Sequence, residues 1–183
     1  TTITAFRADI GGVGGHLQPG SAVCRTVADH VRSELTETVI DADVSFTGDD
    51  ITIVATHDRG LEDPGVHEGL MGALRAGARR AAEEGLYGAG QDLFTDAFAG
   101  AVKGLGPGIA EVCFEERPNE AFVILAADKT RPGAFNLPFY LAFADPMVCA
   151  GLLLSKKLHK GFRFVIMDVV YAAHDRVVSL EAP

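Results

Sequence analysis

The stretch "VSFTGDDITIVATH", Val44 to His57, decides the fold. Both flanks alternate apolar with polar residues and are rich in Val, Ile and Thr, the pattern of half-buried strands, and only the turn "TGDD" separates them. Strands over Val39–Phe46 and Ile51–Thr56 joined so tightly form an antiparallel hairpin, because parallel neighbours need a crossover of about a dozen residues or more. The hairpin leaves two adjacent carboxylates, Asp49 and Asp50, at a strand end. Fixing two like charges side by side at the mouth of a core needs a reason.

Working outward, Thr2 to Ala8 reads as a strand that ends where Asp9 opens a glycine-rich loop running to about Gly20. Ser21 is placed to cap a helix from Ala22 to about Glu37, with Val23, Val27, Val31 and Leu35 on one face. Pro64 suits the first turn of a second helix, which reaches about Glu84 and is stopped by Gly85. A short helix over Gln91–Phe98 is expected between glycine loops. Further strands are expected over Ile109–Glu115, Ala121–Ala127, Phe162–Val170 and Arg176–Leu180. Short turns between strand pairs disfavour a wholly parallel sheet. The expected class is α+β: a mixed or antiparallel sheet covered by helices on one face, in a single domain over residues 1–183.

The bulk composition fits this. The 183 residues are 48% hydrophobic and 22% charged, values of a soluble globular chain large enough for a real core. No apolar run approaches the roughly 20 residues that span a bilayer, and "TTITAFRADIGG" lacks the form of an export signal, so no membrane role and a cytoplasmic setting are expected. The net charge of −9 and the absence of Trp oppose a nucleic-acid partner. Three separated cysteines, with no Cys-x-x-Cys pair, disfavour a disulfide framework and a structural zinc site. Serine-hydrolase, P-loop and zincin motifs are missing.

Carboxylates recur at one kind of position: Asp9 after the first strand, Asp49 and Asp50 at the hairpin, Asp92 after "GAGQ", and Asp128 after "VILAA". Ends of neighbouring strands converge at one edge of a sheet, so several of these acids can share a pocket. There they would repel and raise one another's pKa unless cations neutralise them. Mg²⁺ meets that need and keeps positions open for water and phosphate oxygens. The alternative is that each aspartate simply starts a turn. His16, in the loop after Asp9, is either a ligand or an ordinary surface residue. Lys129 is either a phosphate clamp or an ordinary strand-end lysine.

Taken together and in order, "RADIGGVGGH", "TGDD", "LYGAGQDL", "GLGPG", "EERP", "AADKTRPGAFNLPFY", "FADP" and "GF.F...DV" resemble the archaeal and bacterial fructose-1,6-bisphosphate aldolase/phosphatase family. The resemblance runs from residue 2 to about residue 170. It implies an oligomeric gluconeogenic enzyme built as a four-layer α-β-β-α sandwich. Such an enzyme joins two triose phosphates through a lysine Schiff base and then removes the 1-phosphate with a cluster of Mg²⁺ ions, two or more. It further implies metal positions at Asp9, His16, Asp49, Asp50, Gln91 and Asp128, with Asp49, Asp50 and Asp128 central to catalysis. Sugar-phosphate contacts are implied at His16, Tyr87, Gly100, Ala101, Asp128 and Lys129.

The sequence also departs from the resembled pattern. Family members run to about twice this length, and their second half carries the Schiff-base lysine, a catalytic tyrosine and a "KDD" motif that this sequence does not contain. The histidine-rich loop is shortened to "GHLQPGS", and Ala101 stands where Asn is usual. Three functions follow as expectations. The first is a Mg²⁺-dependent sugar-phosphate enzyme whose missing half comes from a second polypeptide, with phosphoryl hydrolysis favoured over aldol chemistry. The second is a self-sufficient short homologue acting on a small phosphorylated substrate such as a keto-phosphate. The third is a non-catalytic assembly subunit.

Overall fold

The computed structural model describes residues 1–93, 106–116 and 124–129, single positions at 134, 137, 138, 141, 145 and 147, and the strands Phe162–Asp168 and Arg176–Ala182. The chain groups into two compact units, Thr1–Asp128 and Lys129–Pro183.

In the first unit, strand β1 (Thr2–Asp9) lies between β5 (Asp50–His57) and β6 (Gly108–Cys113), and β4 (Asp41–Thr47) completes a four-stranded antiparallel sheet in the order β4-β5-β1-β6. The hairpin read from "VSFTGDDITIVATH" is β4–β5, closed by the pair Thr47↔Asp50 around a loop of Gly48 and Asp49. Gly48 has φ 62, the left-handed value that a tight two-residue loop with glycine first requires.

Successive side chains alternate between sheet faces. Phe6 and Ala8 of β1 and Ile51, Ile53 and Ala55 of β5 therefore share one face, and all are buried in the core. Helices α1 (Ser21–Glu34) and α2 (Pro64–Glu83) cover that face with Val23, Val27, Val31, Val66, Leu70 and Leu74. Each such aliphatic side chain contributes about 1.5–3 kcal/mol on full burial. The two helices pack closely because α2 offers small residues to α1. A Cβ on Gly77 would lie 2.5 Å from Val27 Cγ2 and 2.7 Å from Ile10 Cδ1. The other sheet face carries Arg7 and Asp9 of β1 with Asp50 and Thr52 of β5.

Several boundaries differ from the expectation. Ser21 is the first residue of α1 and not its cap; Gly20 holds that position, with no side-chain capping bond. The helix ends three residues early, where the Leu35 carbonyl accepts from the Thr38 and Val39 amides in a closing turn. Asp63 caps α2 properly, its Oδ1 accepting from the Val66 amide at 2.9 Å. The glycine-rich loop contains a small ribbon, β2 (Gly12–Val13) with β3 (Gln18–Pro19). Of the strand expected over Ala121–Ala127, residues 121–123 lie outside the described residues and 124–127 are not a strand; Ile124 and Ala126 line a groove with residues of β4 and β5. The expected helix over Gln91–Phe98 is a turn at 91–93, and its remainder lies outside the described residues.

In the second unit, β7 (Phe162–Asp168) pairs with β8 (Arg176–Ala182) as an antiparallel hairpin from Phe162↔Ala182 to Asp168↔Arg176. The α+β class holds. Among the described residues, no helix is long and apolar enough to cross a membrane.

Candidate functional site

Three pieces of chain meet at the end of β1. Asp9 closes that strand and stands opposite Asp50, the first residue of β5. Asp49 sits in the β4–β5 turn and is fully buried. The ribbon β2–β3 then folds the glycine loop back, so that His16 Nδ1 lies 2.5 Å from Asp49 Oδ2 and 3.3 Å from Asp9 Oδ2.

The loop after α2 is stapled to the same strand end. The Asp92 amide donates to the Asp9 carbonyl at 3.1 Å, the Asp9 amide donates to Asp92 Oδ2 at 2.7 Å, and the Gly90 amide donates to the Ile10 carbonyl at 3.0 Å. These bonds fix Gln91 and Tyr87 beside the acids. The Gly12 amide donates to the Tyr87 carbonyl at 2.9 Å, and the Tyr87 ring meets His16 edge-on with centroids 5.0 Å apart. Gln91 Oε1 is buried and accepts no hydrogen bond.

Asp128 follows the segment whose Ile124 and Ala126 line a groove with β4 and β5. Gly48 makes room for it, since a Cβ there would overlap Asp128 Oδ2. Arg7 pairs with Asp50 Oδ2, reaches within 3.7 Å of Asp128 Oδ1, and donates from Nη1 to the Ala127 carbonyl at 2.6 Å.

Two groups of possible ligands result, Asp9 with His16 and Asp49, and Asp49 with Asp50 and Asp128; within each, one donor atom per residue lies within 4.8 Å of the others. Asp49 belongs to both. The electrostatics match such a cluster. Burial first, and then the charges of Asp49 and Asp92, push the Asp9 carboxyl up to about 7 against the opposing bond from the Gly11 amide. Burial also raises Asp50, aided by the charges of Asp128 and Asp49 and opposed by Arg7. Carboxylates held this way are short of positive charge, and hard divalent cations that take oxygen ligands supply it. The unpaired carbonyl oxygen of Gln91 is a neutral donor of the same hard type.

Of the residues singled out from the sequence, Asp9, His16, Asp49, Asp50 and Asp128 are brought together, with Gln91 and Tyr87 alongside. Gly100 and Ala101 lie outside the described residues. Lys129 opens the second unit with a left-handed φ of 48. Arg7 escaped the sequence reading, although period-two alternation places it on the face of Asp9. The part of Asp92 in fixing the Asp9 backbone has no signal in spacing.

A family model described as fructose-1,6-bisphosphatase matches residues 1–183. The fructose-1,6-bisphosphate aldolase/phosphatase of Thermus thermophilus is 52% identical over 182 residues, covering 100% of this chain and 50% of that protein. The proteins of the same name from Cenarchaeum symbiosum and Ignicoccus hospitalis are 49% and 46% identical, over 98% and 100% of this chain and 47% of each relative. The chain spans about half the length of the curated relatives it matches. It belongs to the fructose-1,6-bisphosphatase family.

Proposed function

We propose, with that family as premise, that the chain carries the magnesium-binding part of an enzyme that hydrolyses a phosphate ester of a sugar bisphosphate. The observation that carries this reading is Asp49, fully buried and common to two groups of potential ligands. Asp9, His16 and Asp49 would hold one ion, and Asp49, Asp50 and Asp128 a second, with Gln91 Oε1 as a further oxygen donor. Magnesium bound there would supply Lewis acidity toward phosphoryl oxygens and would lower the pKa of a bound water, so that a neighbouring base could deprotonate it more readily.

The chain's own residues do the rest. Asp49 and Asp50 are fixed by the hairpin turn, so the ligand positions are set before anything binds. Asp49 orients His16 through Nδ1, Asp9 Oδ2 lies 3.3 Å from the same nitrogen, and Tyr87 packs against the ring. Those two rings give the sugar an aromatic wall beside the acids. Lys129, directly after Asp128 in sequence, would add a compact positive charge for a phosphate. Gly100 and Ala101 complete the substrate contacts in this reading. Hydrolysis is favoured over aldol chemistry for this part because what it gathers is a cluster of carboxylates suited to metal-assisted phosphoryl transfer. The complete reaction would draw on the remaining half of the relatives' length, in a second polypeptide or elsewhere.

The test is phosphate release from fructose 1,6-bisphosphate with Mg²⁺, by the chain alone and with a polypeptide carrying that other half. Release that Asp49→Asn and Asp50→Asn each abolish supports the reading. Release that both variants leave unchanged rejects it, as does its absence in both preparations.

A further inference from the structure

We propose that Arg7 is a positioning residue that assembles the second ligand group by clamping Asp128 and its segment onto the sheet beside Asp50, an inference that rests on the magnesium reading of this site.

Among the described residues, the segment Ile124–Asp128 meets the sheet through Ile124 and Ala126, which line a groove with β4 and β5, and through Arg7. It forms no strand, and Ile124 and Leu125 are 45% and 38% exposed. Yet it must deliver Asp128 to within ligand distance of two acids on the β4–β5 turn. Arg7 is suited to the task because a guanidinium is a rigid fork with several donors, whereas an ammonium is a point charge. One arm, Nη1, donates to the Ala127 carbonyl at 2.6 Å. The other, Nη2, pairs with Asp50 and lies 3.7 Å from Asp128 Oδ1. Arg7 itself sits in the middle of the sheet, between β5 and β6, paired with Thr52 and Gly108. The clamp is therefore anchored on a strand that is hydrogen-bonded on both sides. The same contacts oppose repulsion among the carboxylates before any ion arrives.

A cation next to a metal site has two opposite consequences. If it merely repels the ion, its removal tightens metal binding. If it holds the ligands in place, its removal weakens binding by the roughly 10–100-fold typical of residues that orient ligands from outside the coordination sphere. The geometry points to the second.

The experiment uses the whole chain in three forms, wild type, Arg7→Met and Arg7→Lys, with two readouts. Hydrogen exchange in the metal-free state follows the amides of Ile124–Asp128, and Mn²⁺ titration followed by electron paramagnetic resonance gives the affinity of the metal alone. The expected result is faster exchange in that segment with Arg7→Met, together with Mn²⁺ binding about 10- to 100-fold weaker. Arg7→Lys, which keeps the charge but cannot hold Ala127 and Asp50 together, falls between. Unchanged exchange in Arg7→Met overturns the assignment whatever the metal does. Unchanged or tighter Mn²⁺ binding by Arg7→Met overturns it too. A wild-type chain that takes no Mn²⁺ counts against the magnesium reading, and the exchange result alone then decides whether Arg7 holds the segment.

Discussion

Asp9 stands directly across the β1–β5 ladder from Asp50, the last pair in that register. Like charges directly opposed on a sheet destabilise it, and here burial removes most of the water that would screen them. Arg7, two residues back on the same face, offsets the charge of Asp50, while Asp9 keeps its proton up to about 7. The sheet end is therefore unfavourable by itself and becomes favourable when a cation is shared among the acids.

Asp9→Asn should for that reason have opposite effects on stability and on binding. Without metal, the amide keeps the shape and removes the repulsion with Asp49 and Asp92, so the chain should gain about 1–2 kcal/mol. Its Mn²⁺ affinity should fall by more than the roughly 10–100-fold seen for indirect partners. Urea denaturation with a chelator and Mn²⁺ titration of the same preparation test both halves. A variant that is less stable and binds equally well contradicts the assignment.

The same group sets a pH dependence of definite sign. The folded-state pKa of Asp9, about 7, is above its ordinary 3.8, so the folded state binds the proton more tightly. That contribution is complete below about pH 4 and is lost as pH rises through 7. Relative to Asp9→Asn, the metal-free wild type should lose stability between pH 4 and 8. Magnesium should remove the loss, because the ion takes the place of the proton. Melting curves with EDTA and with Mg²⁺ across this range give the comparison; parallel difference curves would refute the idea.

The sequence disclosed the sheet and helices well because their signals are local. Alternation in Val44–His57, the valine spacing of α1 and the proline at the start of α2 each act within a few residues. The acids could also be named, since strand ends gather at one edge of a sheet. What spacing could not disclose depends on contacts between distant segments. Residues 121–127 have strand composition, yet 124–127 form no strand, and Arg7 holds Ala127 from 120 positions away. Ser21 looked like a cap because the rule weighs side chains, whereas the glycine before it supplies only an extended backbone and a carbonyl.

A second polar network, apart from the aspartate cluster, carries a pH dependence of the opposite sign. The His57 ring is fully buried; its Nδ1 accepts from the Arg59 amide, so Nε2 donates to Thr4 Oγ1 at 2.8 Å, and Thr4 donates on to Glu111 at 2.6 Å. His67 and the Glu62 amide complete the shell of Glu111. Burial lowers the His57 pKa, with Glu111 and Asp63 opposing and His67 and Arg59 reinforcing. Burial raises Glu111, but bonds from Thr4, His67 and Glu62 outweigh it and leave the carboxyl below 4.5. Both folded values are depressed, so both contributions are complete above the unfolded pKa, 6.5 for His57 and 4.5 for Glu111, and are lost as pH falls. Thr4→Val should cost about 1–3 kcal/mol at neutral pH by leaving the buried His57 Nε2 without its acceptor and removing one of the bonds to Glu111, and should flatten the decline below about pH 4.5, where Glu111 titrates. An unaltered acid limb in this variant would show that Thr4 is not the link.

Gly48 and Gly60 offer a matched pair that separates backbone strain from site geometry. Both have left-handed φ, 62 and 87, so alanine at either position costs about 1–2 kcal/mol through the backbone. Their surroundings differ. A Cβ on Gly60 meets nothing within 4 Å, whereas one on Gly48 would overlap Asp128 Oδ2 and lie 2.9 Å from its Cγ. Asp128 must then move away from Asp49 and Asp50, and the second ligand group opens. Gly48→Ala should therefore lose Mn²⁺ affinity by at least about tenfold, the scale of a misplaced ligand shell, while Gly60→Ala loses similar stability and binds Mn²⁺ like the wild type. Urea melts and Mn²⁺ titrations on the two variants give the four numbers needed. Equal affinities in both would mean that Asp128 does not depend on the hairpin turn for its place, and that the turn's glycine serves the backbone alone.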